Sequence, residues 1–125
     1  MKVKEIMNKV IVVEHDISVK EVAKIMSNRN IGSLVVLKNN KIAGIITEKD
    51  ILKNISSLEK KISAVMSKNV ITIDLNESID NAALIMSENK IKRLPVIDNN
   101  KLVGILTATD IIANSDVLNE DFFFE

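Results

Sequence analysis

The sequence contains no cysteine and a single histidine among its 125 residues. Without cysteine there is no disulfide framework and no thiolate chemistry, which fits a reducing compartment. The one histidine, His15, leaves no histidine cluster for a metal ion and argues against a Ser-His-Asp triad. We therefore expect neither a metal centre nor an enzymatic active site.

Aromatic residues and an excess of one charge are also missing. The chain has no Tyr or Trp, and its 17 basic residues balance 17 acidic ones. A neutral chain without a basic run or an aromatic platform is a poor nucleic-acid binder. The apolar runs, such as residues 34–37, are too short to cross a bilayer, and the N-terminus has no apolar signal-peptide core. The sequence predicts a cytoplasmic protein that binds neither nucleic acid nor membrane.

An internal repeat organises the chain. A shift of 60 positions aligns residues 10–53 with residues 70–113 and gives 18 identities in 44 pairs, where chance would give roughly three or four. Each copy is too small to bury much surface alone, so we expect the two copies to pack face to face with pseudo-twofold symmetry. The predicted division is a first repeat with its linker at residues 1–61, a second repeat at 62–113 and a tail at 114–125.

Within each copy the patterning predicts a β-α-β-β-α order, and hence an α+β fold. The predicted elements of the first copy are a strand at residues 11–13, a helix at 18–29, strands at 34–37 and 42–46, and a final helix opened by Thr47. Ser18 and Glu21 have the spacing of a capping box. Asn39 and Asn40 favour a tight hairpin turn, because Asn tolerates positive φ.

A Gly-x-x-Thr-x-x-Asp motif recurs in both copies. It is Gly44, Thr47 and Asp50 in the first copy, and 60 residues later in the second. One interpretation is structural: Thr caps the last helix, Asp lies at its third position, and Gly allows a close backbone approach. The other is functional, because a helix start offers free amides to a phosphate and a carboxylate can accept hydrogen bonds from ribose. Lys92 and Arg93 could balance the phosphate charge.

The duplication, the two motifs and two strand segments together resemble a pair of CBS (cystathionine β-synthase) domains, the Bateman module, over residues 3–113. The segments are Ile31-Gly32-Ser33-Leu34-Val35-Val36 and Ile91-Lys92-Arg93-Leu94-Pro95-Val96. The resemblance implies a stand-alone regulatory module without catalysis or a required cofactor. It implies an adenine nucleotide or adenosine derivative (AMP, ADP, ATP or S-adenosylmethionine) bound in clefts between the repeats.

The resemblance also implies roles for individual residues. Asp50 and Asp110 would hold ribose hydroxyls, and Thr47 and Thr107 would meet phosphate or ribose. The residues at the start of the first strand of each copy would contact the adenine, partly through backbone groups. The segments at 31–33 and 93–95 would line the mouth of the ligand cleft, with Arg93 toward the phosphate. The full set of implied ligand-binding residues is Ile11, Val12, Ile31, Gly32, Ser33, Thr47, Asp50, Ile71, Thr72, Arg93, Leu94, Pro95, Thr107 and Asp110.

Assembly can also be predicted. Each final helix carries two adjacent apolar residues, Ile51 with Leu52 and Ile111 with Ile112. One of each pair faces away from its own sheet, and a second chain would cover it, so we expect a homodimer. Phe122, Phe123 and Phe124 lie in an acidic tail that is either frayed or adds to a partner contact. The alternative function is a ligand-free structural dimerisation module that regulates a separate partner protein.

Overall fold

The structure, a computed structural model, describes residues 1–115. The helices are α1 Val3–Ile6, α2 Val19–Arg29, α3 Glu48–Lys53, α4 Ile79–Asn89 and α5 Ala108–Ala113, and a 3₁₀ turn spans Ile62–Ala64. The strands are β1 Val12–Val13, β2 Ser33–Lys38, β3 Lys41–Thr47, β4 Ile73–Asp74, β5 Arg93–Asp98 and β6 Lys101–Thr107. This content confirms the α+β class and the β-α-β-β-α order of both repeats. Phe122, Phe123 and Phe124 lie outside the described residues.

The chain divides into two compact units, and each unit combines parts of both sequence repeats. One unit is Val10–Val70, which we call the central unit. The other, the split unit, joins Met1–Lys9 to the described residues from Ile71 onward. The short segment that precedes each repeat therefore packs with the repeat it does not precede. The sequence division at residue 61 follows the duplication, whereas the spatial division falls after residues 9 and 70.

The central unit is a three-stranded sheet covered by helices. Its strand order is β1-β2-β3, with β1 parallel to β2 and β2 antiparallel to β3. Asn39 and Asn40 have φ values of 54° and 62°, which confirms the tight hairpin turn. The predicted capping box starts α2, because the Ser18 hydroxyl accepts from the Glu21 N–H at 3.1 Å and Glu21 Oε1 accepts from the Ser18 N–H at 3.3 Å.

The aliphatic core of the central unit joins the sheet, α2 and the segment before the second repeat. Val22 and Met26 form one face of α2 and pack with Leu34, Ile46 and the fully buried Ile62. Burying one such side chain is worth about 1.5–3 kcal/mol. Ile62 therefore stabilises the central unit about as much as one buried side chain of its own strands does.

The split unit repeats this plan in the order β4-β5-β6. Its core joins Met86 on α4 to Leu94 and Leu106 on the sheet, and Val3 of α1 is fully buried against them. The main-chain N–H of Val3 donates to the Glu77 carbonyl at 2.9 Å and that of Lys4 to the Leu75 carbonyl at 3.0 Å. The N-terminal segment is thus an integral part of this unit.

Both motif glycines lie where an exchanged segment crosses a strand. Ile45 exchanges main-chain hydrogen bonds with Ser67, at 3.0 and 2.9 Å. A Cβ built on Gly44 would lie 2.6 Å from Met66 Sδ and 2.9 Å from the Ser67 carbonyl oxygen. At Gly104 the corresponding distances are 2.8 Å to Met7 Sδ and 2.9 Å to the Asn8 carbonyl oxygen. The expected close backbone approach is therefore real, and glycine is needed for it.

Candidate functional site

The Thr and Asp of each motif form a capping box at the start of the last helix. At α5, Asp110 Oδ2 accepts from the Thr107 N–H at 2.9 Å and from its hydroxyl at 2.7 Å, and Thr107 Oγ1 accepts from the Asp110 N–H at 3.2 Å. At α3, Asp50 Oδ2 accepts from the Thr47 N–H at 2.8 Å and from its hydroxyl at 3.2 Å. The structural interpretation of the motif is thereby confirmed.

The capping boxes limit what the threonines can do for a ligand. A hydroxyl has one proton, and in both helices it is donated to the neighbouring carboxylate. An ionised phosphate only accepts hydrogen bonds, so neither hydroxyl can donate to it while the box is closed. Within the capping boxes, Thr47 and Thr107 hold the carboxylates of Asp50 and Asp110 in a fixed orientation.

One oxygen of each motif carboxylate stays open. The cap engages Oδ2 of Asp50 and of Asp110, whereas within residues 1–115 neither Oδ1 accepts a hydrogen bond. Both aspartates are partly exposed. The cap fixes the orientation of the carboxylate before any ligand arrives. Its free oxygen can then accept a hydrogen bond from a ligand hydroxyl group.

In each unit, strand register places the first residue of one strand opposite the motif threonine at the end of the next strand. Arg93 on β5 lies directly opposite Thr107 on β6, and Ser33 on β2 lies opposite Thr47 on β3. Directly opposed side chains in an antiparallel pair are neighbours. Consequently the split unit has an arginine opposite the N-cap residue of its last helix, and the central unit has a serine at the matched position.

Pro95 makes a second difference between the units. In the central unit the Val35 N–H donates to the Ile11 carbonyl at 3.3 Å, and the β1–β2 ladder begins at Val12. Pro95 stands at the position of Val35 and has no N–H to donate. The β4–β5 ladder accordingly begins one residue later, at Ile73, and among the described residues the Ile71 carbonyl accepts no hydrogen bond.

Two of the residues expected at the mouth are core residues. Leu94 is 0% exposed and packs in the core of the split unit, and the Pro95 side chain is fully buried as well. The apolar run of β5 is covered on both faces of the strand, which a sequence pattern alone does not reveal. Both side chains are buried in this structure, and the missing N–H of Pro95 shortens the β4–β5 ladder.

The remaining predicted residues are reachable from solvent. Val12 is 37% exposed. The other partly exposed members are Ile11, Ile31, Gly32, Ser33, Ile71, Thr72 and Arg93. The main chain ties the mouth segments to the helix starts, since the Glu48 N–H donates to the Gly32 carbonyl at 3.1 Å and the Ala108 N–H to the Lys92 carbonyl at 2.8 Å.

An open groove of about 480 Å³ lies between α2 and α3 of the central unit. It is lined by Ala23, Met26, Ile31, Ile51, Leu52 and Glu48, among others. Ile31 and Gly32, two of the residues expected at the mouth of the ligand cleft, line this groove. The signal that pointed to this surface was the adjacent apolar pair at residues 51 and 52.

Among residues 1–115 no three histidine, aspartate or glutamate side chains come close enough to hold a metal ion. In the same part of the chain every helix is too short or too polar to span a bilayer.

Comparison with known proteins shows what the chain is similar to. A family model for the CBS domain matches residues 3–57 and again residues 62–116. The CBS domain-containing protein YhcV of Bacillus subtilis is 30% identical over 101 residues, which cover 78% of this chain and 72% of YhcV. L-Aspartate semialdehyde sulfurtransferase of Methanocaldococcus jannaschii is 40% identical over 112 residues, 87% of this chain and 22% of that protein.

Solved structures share the fold. The crystal structure of the CBS domain pair of protein MJ0100, in complex with 5′-methylthioadenosine and S-adenosyl-L-methionine, has a TM-score of 0.83 and 38% identity and covers 89% of this chain and 92% of that one. Several longer relatives contain such a region as a part, because the chain spans only 32%, 22% and 19% of three of them.

Proposed function

The chain belongs to the CBS-domain family as a tandem pair, and from that premise we propose that it is a regulatory module that binds an adenosine-containing ligand. The ligand acts through conformation or assembly, without catalysis. A separate effector protein reads the change. The chain works in the cytoplasm as a homodimer.

The observation that carries the proposal is the open oxygen on each motif aspartate. Asp50 and Asp110 are each held by a cap through Oδ2, and Oδ1 is left to accept from vicinal ribose hydroxyls. A ligand with such hydroxyls meets an acceptor that needs no further ordering, so little conformational entropy is lost on binding. The CBS pair of MJ0100 supports an adenosine ligand, since its structure contains two of them.

The split unit supplies the stronger set of groups in this proposal. Its Ile71 carbonyl can accept from the adenine amino group, its Asp110 from ribose, and its Arg93 can bind a phosphate in a bidentate fork. The central unit has a carbonyl at Ile11 that is already engaged, and it has Ser33 in place of the arginine. We therefore assign the higher affinity, and the preference for a phosphorylated adenosine such as AMP, to the split unit.

The same geometry argues for a non-catalytic role. The two threonine hydroxyls have a carboxylate partner, which resembles a nucleophile and its base. In both helices, however, that pairing is the local cap of a helix start, with the third residue of the helix returning to the N-cap. A hydrolase would also need a group that orients the base, and nothing in the capping boxes has that role.

A thermal-shift panel tests the function. The panel contains AMP, ADP, ATP, S-adenosylmethionine, 5′-methylthioadenosine and NAD, with GMP as the control for the base. A ligand that binds only the folded state adds about 2.7 kcal/mol of stability at a hundredfold its Kd. We expect at least one adenosine compound to raise the Tm and GMP to leave it unchanged. If none raises it, the adenosine-ligand proposal is wrong, and the ligand-free dimerisation module is the function that remains to be tested by light scattering.

A further inference from the structure

The five methionines of the chain differ in how far solvent reaches them. Met1 is 67% exposed, whereas Met26 and Met86 are only 5% exposed in the cores of the two units. Met7 and Met66 lie between these limits and are partly exposed. Because oxidation of a thioether follows its access to the oxidant, a peroxide can reach Met7 and Met66 in the folded protein, whereas Met26 and Met86 are shielded.

Met66 is the residue with which an exchanged segment contacts the motif glycine of the central unit. A Cβ built on Gly44 would lie 2.6 Å from Met66 Sδ and 2.8 Å from its Cγ, so the thioether lies directly on the glycine. The Met66 N–H donates to the carbonyl of the buried Ile62 at 2.8 Å, and the next residue, Ser67, is bridged to Ile45. The thioether therefore lies between the two anchors of the segment, the buried side chain and the main-chain bridge.

Met7 has the same place in the split unit. At Gly104 the distances are 2.8 Å to Met7 Sδ and 3.3 Å to its Cγ. The Met7 N–H donates to the carbonyl of the buried Val3 at 3.0 Å, and Asn8 is bridged to Ile105. Each exchanged segment thus carries one partly exposed thioether, and each crosses a strand that ends at a motif threonine.

Oxidation would change what these side chains can contact. A methionine sulfoxide is polar, and its oxygen needs a hydrogen-bond donor or water. The N–H groups of Ile45 and Ser67 are already donated within their bridge, at 3.0 and 2.9 Å, and cannot serve the sulfoxide unless the bridge breaks. Methionine has three rotatable side-chain bonds, so the oxidised side chain can also reach water by leaving the glycine. Either change removes a contact that holds the exchanged segment.

We propose that Met66 and Met7 are reversible oxidation sites for a peroxide, and that their oxidation loosens the exchanged segment at each motif glycine. In this step Sδ takes one oxygen atom from the peroxide as the O–O bond breaks. The sulfur is oxidised by two electrons, and hydrogen peroxide is reduced to water. A thiol-dependent methionine sulfoxide reductase reverses the step, because the oxygen leaves as water while two thiols become a disulfide. The proposal requires neither an adenosine ligand nor a second copy of the chain.

Peptide mapping by mass spectrometry tests where the peroxide acts. The folded chain is treated with hydrogen peroxide, and the reaction is stopped at intervals. We expect sulfoxide first at Met1 and then at Met7 and Met66, with Met26 and Met86 unmodified until the chain is unfolded in urea. If Met7 and Met66 react no faster than Met26 and Met86, the proposal is overturned.

Hydrogen exchange tests the consequence at each crossing separately. The Ile45 N–H donates to the Ser67 carbonyl at 3.0 Å, and the Ile105 N–H donates to the Asn8 carbonyl at 2.9 Å. Loss of one buried apolar contact corresponds to at least about tenfold in a local opening equilibrium, so exchange of both amides should quicken by that factor after oxidation. Unchanged exchange of the two amides in the oxidised chain would contradict the proposal.

Met66→Leu gives a matched comparison within one molecule. Leucine is close to methionine in volume and has no sulfur to oxidise, so the substituted chain should fold as before, which circular dichroism checks. After peroxide treatment the Ile45 amide should keep its protection while the Ile105 amide loses it, and Met7→Leu should give the reverse. Loss of protection at Ile45 in oxidised Met66→Leu would assign the effect to another methionine and overturn the proposal. If the variant does not fold, the exchange of the unsubstituted oxidised chain decides.

Enzymatic reduction completes the test. Methionine sulfoxide reductases for both sulfoxide epimers, with dithiothreitol as the thiol, should return the Ile45 and Ile105 amides to the protection of the untreated chain. Protection that does not return would identify irreversible damage and overturn the assignment of a reversible site.

Discussion

Asp16 holds Ser63 by two hydrogen bonds: Oδ2 accepts from the Ser63 hydroxyl at 2.6 Å, and Oδ1 accepts from the Ser63 N–H at 2.9 Å. The two residues are 47 positions apart, so the contact closes a long loop of the central unit. It anchors the 3₁₀ turn that carries the buried Ile62. In the second repeat the position that matches Asp16 is Asn76, which has no carboxylate. This carboxylate anchor is therefore a feature of the central unit that the split unit does not repeat at the matching position.

The first prediction is an acid-dependent loss of stability at this contact. The Ser63 hydroxyl, and after it the Ser63 N–H, lower the pKa of Asp16 from its ordinary value of 3.8. The folded state therefore favours the charged carboxylate, and its contribution is present above that value and lost as the pH falls through the lower folded pKa. We expect Asp16→Asn to lower the urea midpoint at pH 7 and to lower it less at pH 3. Glu14→Gln, a nearby exposed carboxylate, is the control. An equal effect of Asp16→Asn at both pH values would contradict the assignment.

The second prediction separates ligand binding from capping at Asp110. Asp110→Asn keeps an oxygen for the Thr107 N–H but turns the other end into a donor, which cannot accept from ribose. We expect AMP affinity to fall about ten- to a hundredfold, since hydrogen bonds to charged groups are worth about 1.5–3 kcal/mol. Titration calorimetry measures the affinity, and thermal unfolding should show a small loss.

The control for Asp110→Asn is Glu21→Gln, which alters a capping box outside the predicted ligand-binding residues. It should change stability by a similar amount and leave AMP affinity unchanged. If Asp110→Asn and Asp50→Asn both leave the affinity unchanged, the ribose assignment is wrong and the two aspartates serve only the caps.

The third prediction concerns the phosphate. Arg93→Ala should weaken AMP more than adenosine, because the guanidinium is proposed to bind only the phosphate. The reciprocal change, Ser33→Arg, puts an arginine at the matched position opposite Thr47 and should raise the affinity of the weaker site for AMP. Calorimetry with AMP and adenosine gives both comparisons. Equal losses for the two ligands in Arg93→Ala would assign Arg93 to packing.

The fourth prediction concerns the close approach at Gly44. In Gly44→Ala the new Cβ meets Met66 Sδ, which can move, and the Ser67 carbonyl oxygen, which is held in a bridge to Ile45. Overpacking of this kind costs about 1–3 kcal/mol. Urea unfolding should show that loss, and Met66→Ala should recover only part of it. Gly32→Ala is the matched control, because Gly32 has no positive φ and lines the open groove. A neutral Gly44→Ala would mean that the crossing segment moves away readily.

The fifth prediction uses a backbone difference between the repeats. Asn30 and Lys90 end α2 and α4 in the left-handed conformation, with φ values of 53° and 54°. Asn adopts this conformation more readily than Lys. Lys90→Asn should therefore stabilise the protein by up to about 1 kcal/mol, and Asn30→Lys should destabilise it by a similar amount. Thermal unfolding measures both, and a shift of the same sign in the two variants would rule out this explanation.

The sequence by itself determined the elements that depend on near neighbours. The capping boxes at Ser18, Thr47 and Thr107 and the Asn39-Asn40 turn form within two to four residues, so their spacing alone predicts them. The duplication predicts the Thr107 box from the Thr47 box and the Asn99-Asn100 turn from the Asn39-Asn40 turn, whereas α4 keeps only the Ser78 half of the first box because Asn81 stands in place of Glu21. The close approach at the glycines was also readable, since a strand glycine indicates that something must pass nearby.

Which segment of the chain passes each motif glycine was decided only by the tertiary structure. Nothing local to Val3 or Ile62 states which repeat its segment will join, because the partner residues lie far along the chain and the choice depends on which exposed core each segment can cover. The same holds for the burial of Leu94 and for the Ile71 carbonyl near Pro95, which accepts no hydrogen bond from any described residue. Each of these depends on strand register and on packing across the sheet, and such contacts have no signature in a window of sequence.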